Sequence, residues 1–263
     1  MRRDDVPLGT PDEVAAMLDR ANRLGADPAV TNYGGGNASA KADVTHPATG
    51  EPATLLYVKG SGGDLGTLRY PGLAVLELDR LRGLDAGYRG QAYQDEMVEK
   101  FGFCGFGTAS AAPSIDTPMH ALLDAPHIDH LHPDAVIALA SSADGERLVA
   151  ECYQGRVAWI PWIRPGWELG KLHAKLYREH PELEGVVLGG HGLTVWGETS
   201  EQCEERAFRL IREASEFIAR RGKVDPFGQV REQRRPLPDG ERHARAAAIA
   251  PMLRRIAATD TRM

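Results

Sequence analysis

Three histidines have the type and spacing to hold a metal ion. His130 and His132 lie one residue apart in Asp129-His130-Leu131-His132-Pro133, and the third stands in Gly189-Gly190-His191-Gly192, about sixty residues later. Side chains alternate along an extended segment, so residues at i and i+2 point the same way and both imidazoles can reach one ion. A catalytic zinc site uses three protein ligands and leaves one position for water or substrate. His191, in a glycine-flanked turn where backbone can approach closely, supplies the third. Taken singly, the first two also read as surface strand residues and the last as a turn residue. The trio gains meaning from an acid upstream.

That acid is Asp116 in Pro113-Ser114-Ile115-Asp116-Thr117-Pro118-Met119-His120. An acid before a Thr-Pro step suits a helix N-terminus, which is also a good anion site because its amide donors and dipole point outward. One reading of Asp116 is therefore a helix cap. The other is a proton shuttle: a carboxylate beside a metal-held substrate can remove a proton from carbon next to a carbonyl, with the ion acting as Lewis acid. His120, one turn further, orients the acid or packs, and packing is the simpler reading.

Two loops add backbone donors. Gly34-Gly35-Gly36-Asn37-Ala38-Ser39 and Lys59-Gly60-Ser61-Gly62-Gly63 offer amides able to converge on an anion, joined by the Asn37 amide, the Ser61 hydroxyl and the Lys59 ammonium. Neither fits the nucleotide-binding loop in which Lys precedes Ser or Thr, nor a GxGxxG helix start.

Several elements must position these groups. Thr10-Pro11-Asp12-Glu13 opens a helix that ends near Gly25. The glycine-rich segment from Thr31 leads into a hairpin that turns at His46–Gly50 and returns as a strand over Ala53–Val58. Leu73–Leu84 reads as a strand passing into a short helix, and Tyr93–Phe101 and Thr117–Leu123 as helices. Val136–Ala140 reads as a buried strand and Trp159–Trp162 as an edge or loop segment. Glu168–Glu179 is a helix, Gly185–Leu188 a strand entering the His191 turn, and Ser200–Arg221 a long amphipathic helix. Strands and helices alternating around one sheet predict an α/β fold. His127, an odd number of residues from His130, faces the other side of a regular strand.

The composition permits an enzyme. A chain of 263 residues, 42% hydrophobic and 26% charged, can bury a sizeable core. The net charge of −6 argues against a general nucleic-acid or membrane-surface role, so an anionic substrate must rely on local donors. Cys104, Cys152 and Cys203 are odd in number and lack metal-type spacing, which suits reduced thiols in the cytoplasm. Nowhere do eighteen apolar residues follow one another, and no apolar run follows the charged first residues, so neither export nor membrane insertion is expected.

In combination these residues resemble the class II aldolase/adducin family. The matching order is a Gly-Asn-x-Ser loop at Gly36–Ser39, Ser61-Gly62, the Pro113–His120 segment, the His130/His132 pair and His191-Gly192. The wording Ser114-Ile115-Asp116-Thr117-Pro118 and His127-Ile128-Asp129-His130-Leu131-His132-Pro133 is most similar to the aldolase part of bifunctional rhamnulose-1-phosphate aldolase/short-chain dehydrogenase proteins. The resemblance implies a single three-layer α/β/α domain over residues 1–225 with a mixed or antiparallel central sheet, followed by a helical extension, truncated relative to such proteins, over 226–263. It implies Zn2+ on His130, His132 and His191, Asp116 as shuttle, and phosphate held by Asn37, Ser61, Gly62 and Ser114. The expected reaction is cleavage of a ketose 1-phosphate, L-rhamnulose 1-phosphate in particular, to dihydroxyacetone phosphate and L-lactaldehyde in a cytoplasmic homo-oligomer, a tetramer as in relatives. Aspartate in the shuttle slot, where monofunctional aldolases carry glutamate, keeps a sugar-phosphate 4-epimerase as the alternative. The intact histidine trio argues against a non-catalytic adducin-like interaction module.

Overall fold

The computed structural model describes residue 7 and residues 9–32, 34–107, 111–223, 228 and 235–258. The charged first residues and parts of the 226–263 extension, on which readings above touch, lie outside them. The chain divides into two compact units, Met1–Arg221 and Gly222–Met263. In the second, α9 (Asp239–Ala257) contains Pro251 and no buried residue. No helix among the described residues is long and apolar enough to cross a membrane.

The first unit is built on one open seven-stranded sheet of order β3-β2-β1-β4-β7-β6-β5. In chain order the strands are β1 (Asn37–Thr45), β2 (Pro52–Lys59), β3 (Leu73–Glu77), β4 (His127–Leu131), β5 (Val157–Ile160), β6 (Gly185–Leu188) and β7 (Gly192–Gly197). Only β5 and β6 pair in parallel, so the sheet is mixed and the α/β expectation holds. One layer consists of α1 (Asp12–Gly25), α5 (Asp134–Ala140), α6 (Gly145–Tyr153) and α8 (Ser200–Arg221). The other holds α2 (Leu78–Gly83), α3 (Gln94–Phe101), α4 (Thr117–Leu122) and α7 (Trp167–Glu179).

Most elements follow their sequence signals. In α1 the acidic residues Asp12 and Glu13 occupy the first turn, and Val14, Met17, Leu18, Ala21 and Leu24 are buried at helical spacing. The N-cap position falls on Pro11 rather than Thr10, so no side chain caps this helix. The segment Val136–Ala140 corrects its sequence reading: it is helical, part of α5. Short apolar runs carry no decisive period. Here Pro133 at the N-cap, Asp134 in the first turn and burial of Val136, Leu139 and Ala140 at i, i+3 and i+4 favour the helix. Sequence reading also passed over α6.

One buried ion pair fastens α1 to the sheet. Arg20 is fully buried; its Nε stands 2.9 Å from Asp129 on β4, its Nη1 donates to Ser200 Oγ at 2.6 Å and its Nη2 to the Ser39 carbonyl at 3.1 Å. His127 completes this network: Arg20 Nη1 lies 3.2 Å from its Nδ1, and because guanidinium only donates, that nitrogen accepts. Burial, with Arg20 assisting, lowers the His127 pKa to about 4. His127 thus faces away from His130, as strand alternation requires, and serves packing on the α1 side.

Candidate active site

The three histidines converge. His130 is the penultimate residue of β4, His132 follows the strand's end, and His191 lies in the turn between β6 and β7, its N–H bonded to the Leu188 carbonyl at 3.0 Å. His130 Nε2 lies 3.0 Å from His132 Nε2 and 3.3 Å from His191 Nε2. Nitrogens bound tetrahedrally at zinc distances stand roughly 3.3 Å apart, so the trio presents three converging nitrogens at about the separation a divalent ion needs. Burial lowers the pKa of all three: His132 to about 4, with His191 and Lys59 contributing, His130 well below its usual value, and His191 despite the opposing pull of Asp116. Neutral imidazoles retain the lone pair that a metal requires.

Glycines make this convergence possible. A Cβ on Gly35 would meet His132 Nδ1 at 2.8 Å, and one on Gly36, whose φ is +73°, would meet the His130 carbonyl at 2.8 Å. Gly35 and Gly36 are therefore glycine because they press on the histidine segment. At Gly192 a Cβ would meet the Leu131 carbonyl at 2.4 Å.

Asp116 directly precedes α4, yet its side chain caps nothing. Asn37 Nδ2 donates to Asp116 Oδ2 at 2.8 Å, while Oδ1 is buried with no hydrogen-bond partner among the described residues. Burial raises the Asp116 pKa, against the opposing influence of His191, Asn37 and Lys59. A carboxylate with one anchored oxygen, one unpartnered oxygen and raised basicity suits proton transfer better than capping. His120 does not touch it: this fully buried ring places Nδ1 2.8 Å from Ser39 Oγ.

The Ser61-Gly62 loop abuts the acidic segment, with Ser61 N–H donating to the Ala112 carbonyl at 2.9 Å. Ser61 and Gly62 are exposed, and Gly62, with φ +80°, faces open space. Ser114 Oγ accepts from Asp116 N–H at 3.2 Å. Asn37 is committed to the acid through Nδ2, leaving the second proton of that group for any anion. Lys59 is buried at the end of β2 and donates one long bond, 3.4 Å, to the Gly60 carbonyl. Burial lowers its pKa while Asp116 and Asp64 hold it up.

Two residues that sequence reasoning passed over stand behind His130. Strand register aligns Asn37 of β1, His130 of β4 and Thr194 of β7 in one row across the sheet. Thr194 Oγ1 lies 3.5 Å from His130 Nδ1 and 3.2 Å from Nε2 of His173, on α7. A threonine within the otherwise apolar run Leu193-Thr194-Val195-Trp196 was the available signal.

Fold and site together define an α/β protein of aldolase type whose histidine trio could hold a metal ion. Residues 16–217 match the family described as Class II Aldolase and Adducin N-terminal domain, and the chain belongs to it. A Bacillus subtilis (strain 168) protein named as uncharacterized oxidoreductase YuxG is 36% identical over 254 residues, covering 96% of this chain but 36% of that relative's length. The N-terminal class II aldolase domain of a conserved Thermoplasma acidophilum protein superposes with a TM-score of 0.72 at 25% identity, over 83% of this chain and 99% of that one. A sugar-phosphate aldolase from Thermotoga maritima shares the fold at a TM-score of 0.59 and 13% identity, over 81% of this chain and 97% of its own.

Proposed function

We propose that this chain is a zinc-dependent aldolase that cleaves a ketose 1-phosphate, L-rhamnulose 1-phosphate first among candidates, to dihydroxyacetone phosphate and L-lactaldehyde. The observation that carries the reading is three converging imidazole nitrogens with, in electrostatic reach of His191, a buried carboxylate whose Oδ1 has no hydrogen-bond partner among the described residues. Three neutral imidazoles suit zinc-type ions better than magnesium or calcium. When bound, such an ion supplies Lewis-acid polarisation of the substrate carbonyl. In the synthesis direction Asp116 Oδ1 takes a proton from the carbon next to that carbonyl, and in cleavage it returns the proton to the same carbon. The Asn37 bond fixes the carboxylate's orientation, and the Gly62 amide with the Ser61 and Ser114 hydroxyls holds the phosphate. The acid that serves the aldehyde oxygen comes, in this reading, from a neighbouring subunit of a homo-oligomer.

The test is release of dihydroxyacetone phosphate from a panel of ketose 1-phosphates by zinc-loaded protein. Turnover of one of them supports the reading, and inertness toward the whole panel sinks it. The aspartate in the shuttle position favours a second reading, epimerisation of a pentulose phosphate at carbon 4, which inverts a centre and releases no triose phosphate.

A further inference from the structure

A buried histidine that binds metal through Nε2 must carry its proton on Nδ1, and something must stabilise that tautomer. For His130 the hydrogen-bond inventory settles which neighbours do so. His173 Nδ1 stands 2.8 Å from the carbonyl of Leu169, one turn earlier on α7. A carbonyl only accepts, so this nitrogen carries the proton and, in a neutral ring, His173 Nε2 is a bare lone pair. Full burial keeps the ring neutral, with its pKa lowered to about 4.

That lone pair faces Thr194 Oγ1 at 3.2 Å. Two other groups meet the same hydroxyl, Met119 Sδ at 3.1 Å and His130 Nδ1 at 3.5 Å. One hydroxyl has one proton to give and two lone pairs with which to accept. A thioether is a weak acceptor. If the proton went to His130, His173 Nε2 would be buried with nothing to accept from among the described residues, an unmade hydrogen bond that burial makes costly. The proton therefore goes to His173, and His130 must bring its own.

We infer that Thr194 and His173 are positioning residues: they hold His130 in the Nδ1-protonated tautomer, so that its bare Nε2 faces His132 and His191 before any metal arrives. The relay runs from His130 Nδ1–H to Thr194, from the Thr194 hydroxyl to His173, and from His173 Nδ1–H to the Leu169 carbonyl of α7. It couples the position of α7 to the protonation pattern of the site. The inference rests on the histidine trio being a metal site, but it concerns the metal-free chain and can fail independently of aldol cleavage.

The test uses the full chain without metal at neutral pH, with long-range proton–nitrogen NMR correlations assigning the tautomer of His130. Wild-type protein is expected to show a protonated Nδ1 and a bare Nε2. Thr194→Val, which keeps the shape and removes the hydroxyl, is expected to shift His130 toward the Nε2-protonated form and to weaken zinc binding, measured by chelator competition, about ten- to hundredfold. Thr194→Ser is expected to restore both. A wild-type spectrum with the proton on Nε2 overturns the inference even if Thr194→Val does not fold. So does a folded Thr194→Val protein with wild-type tautomer and zinc affinity. Failure of the aldolase assay with the expected tautomer overturns the proposed function alone.

Discussion

Asn37 Nδ2 donates to Asp116 Oδ2 at 2.8 Å, joining the first residue of β1 to the residue before α4, 79 positions later. The bond occupies one carboxylate oxygen and leaves the other buried without a hydrogen-bond partner among the described residues. An asparagine Oδ1 can accept the Asn37 bond as the carboxylate does, so a purely structural Asp116 would tolerate Asp116→Asn. As a general base it would not, and turnover is expected to fall on the order of a hundredfold or more while fold and zinc content persist. Exchange of the substrate-derived proton of dihydroxyacetone phosphate with deuterated water reads this step without needing the correct aldehyde. Exchange at the wild-type rate in a zinc-loaded variant would place the base elsewhere.

Zinc content is expected at about one ion per chain, and the double variant His130→Ala with His132→Ala is expected to lose it. Gly35→Ala gives a subtler prediction. It touches no ligand nitrogen chemically, but its methyl would lie 2.8 Å from His132 Nδ1 and 2.5 Å from Asn32 Oδ1. Either the loop or the ring must move, and zinc affinity should drop by at least an order of magnitude, as when the groups that orient a ligand are disturbed. Chelator competition checks it; unchanged affinity would mean that the loop yields without cost.

The Arg20–Asp129 pair predicts strong coupling in stability. Removing Arg20 alone strands a fully buried carboxylate, which costs about 3–5 kcal/mol, whereas replacing both charges with apolar residues avoids the uncompensated charge. Urea unfolding of Arg20→Met, Asp129→Leu and the double variant should give a double-variant loss well below the sum of the singles. Additive losses would refute the coupling.

Metal-free protein should lose stability on mild acidification. Burial holds the pKa of His120 at about 3 and that of His173 at about 4, against about 6.5 in an unfolded chain. Below pH 6.5 the unfolded state therefore takes up protons that the folded state refuses, and folding stability falls as pH drops from about 6.5 toward 4. His127 and His132, each lowered to about 4, act in the same direction. The raised pKa of Asp116 works the opposite way, because there it is the folded state that takes up the proton first as pH falls. Urea midpoints should decline from pH 7 through 6 and 5; a midpoint constant down to pH 5 would contradict this.

Much of the site was legible because its chemistry is local. The alternation of a strand placed His130 and His132 on one side and His127 on the other, with no knowledge of what the strand paired with. The Pro113–His120 segment contained an acid before a helix, and the two candidate roles of Asp116 could be written down in advance. In the structure the side chain makes no cap and leaves one buried oxygen unpartnered among the described residues, and the shuttle role rests on the Asp116→Asn test.

What the sequence by itself determined was the set of donors, the α/β class and the segments that face one another within a turn or a strand, since these depend on backbone periods that neighbouring residues share. Only the tertiary structure decided that Asn37, His130 and Thr194 stand in one row, that Gly35 presses on His132, and that Val136–Ala140 is a helix. Strand register and helix-against-strand choice for a short apolar run are set by which distant surfaces close together, and that is a property of the packed core rather than of any single segment.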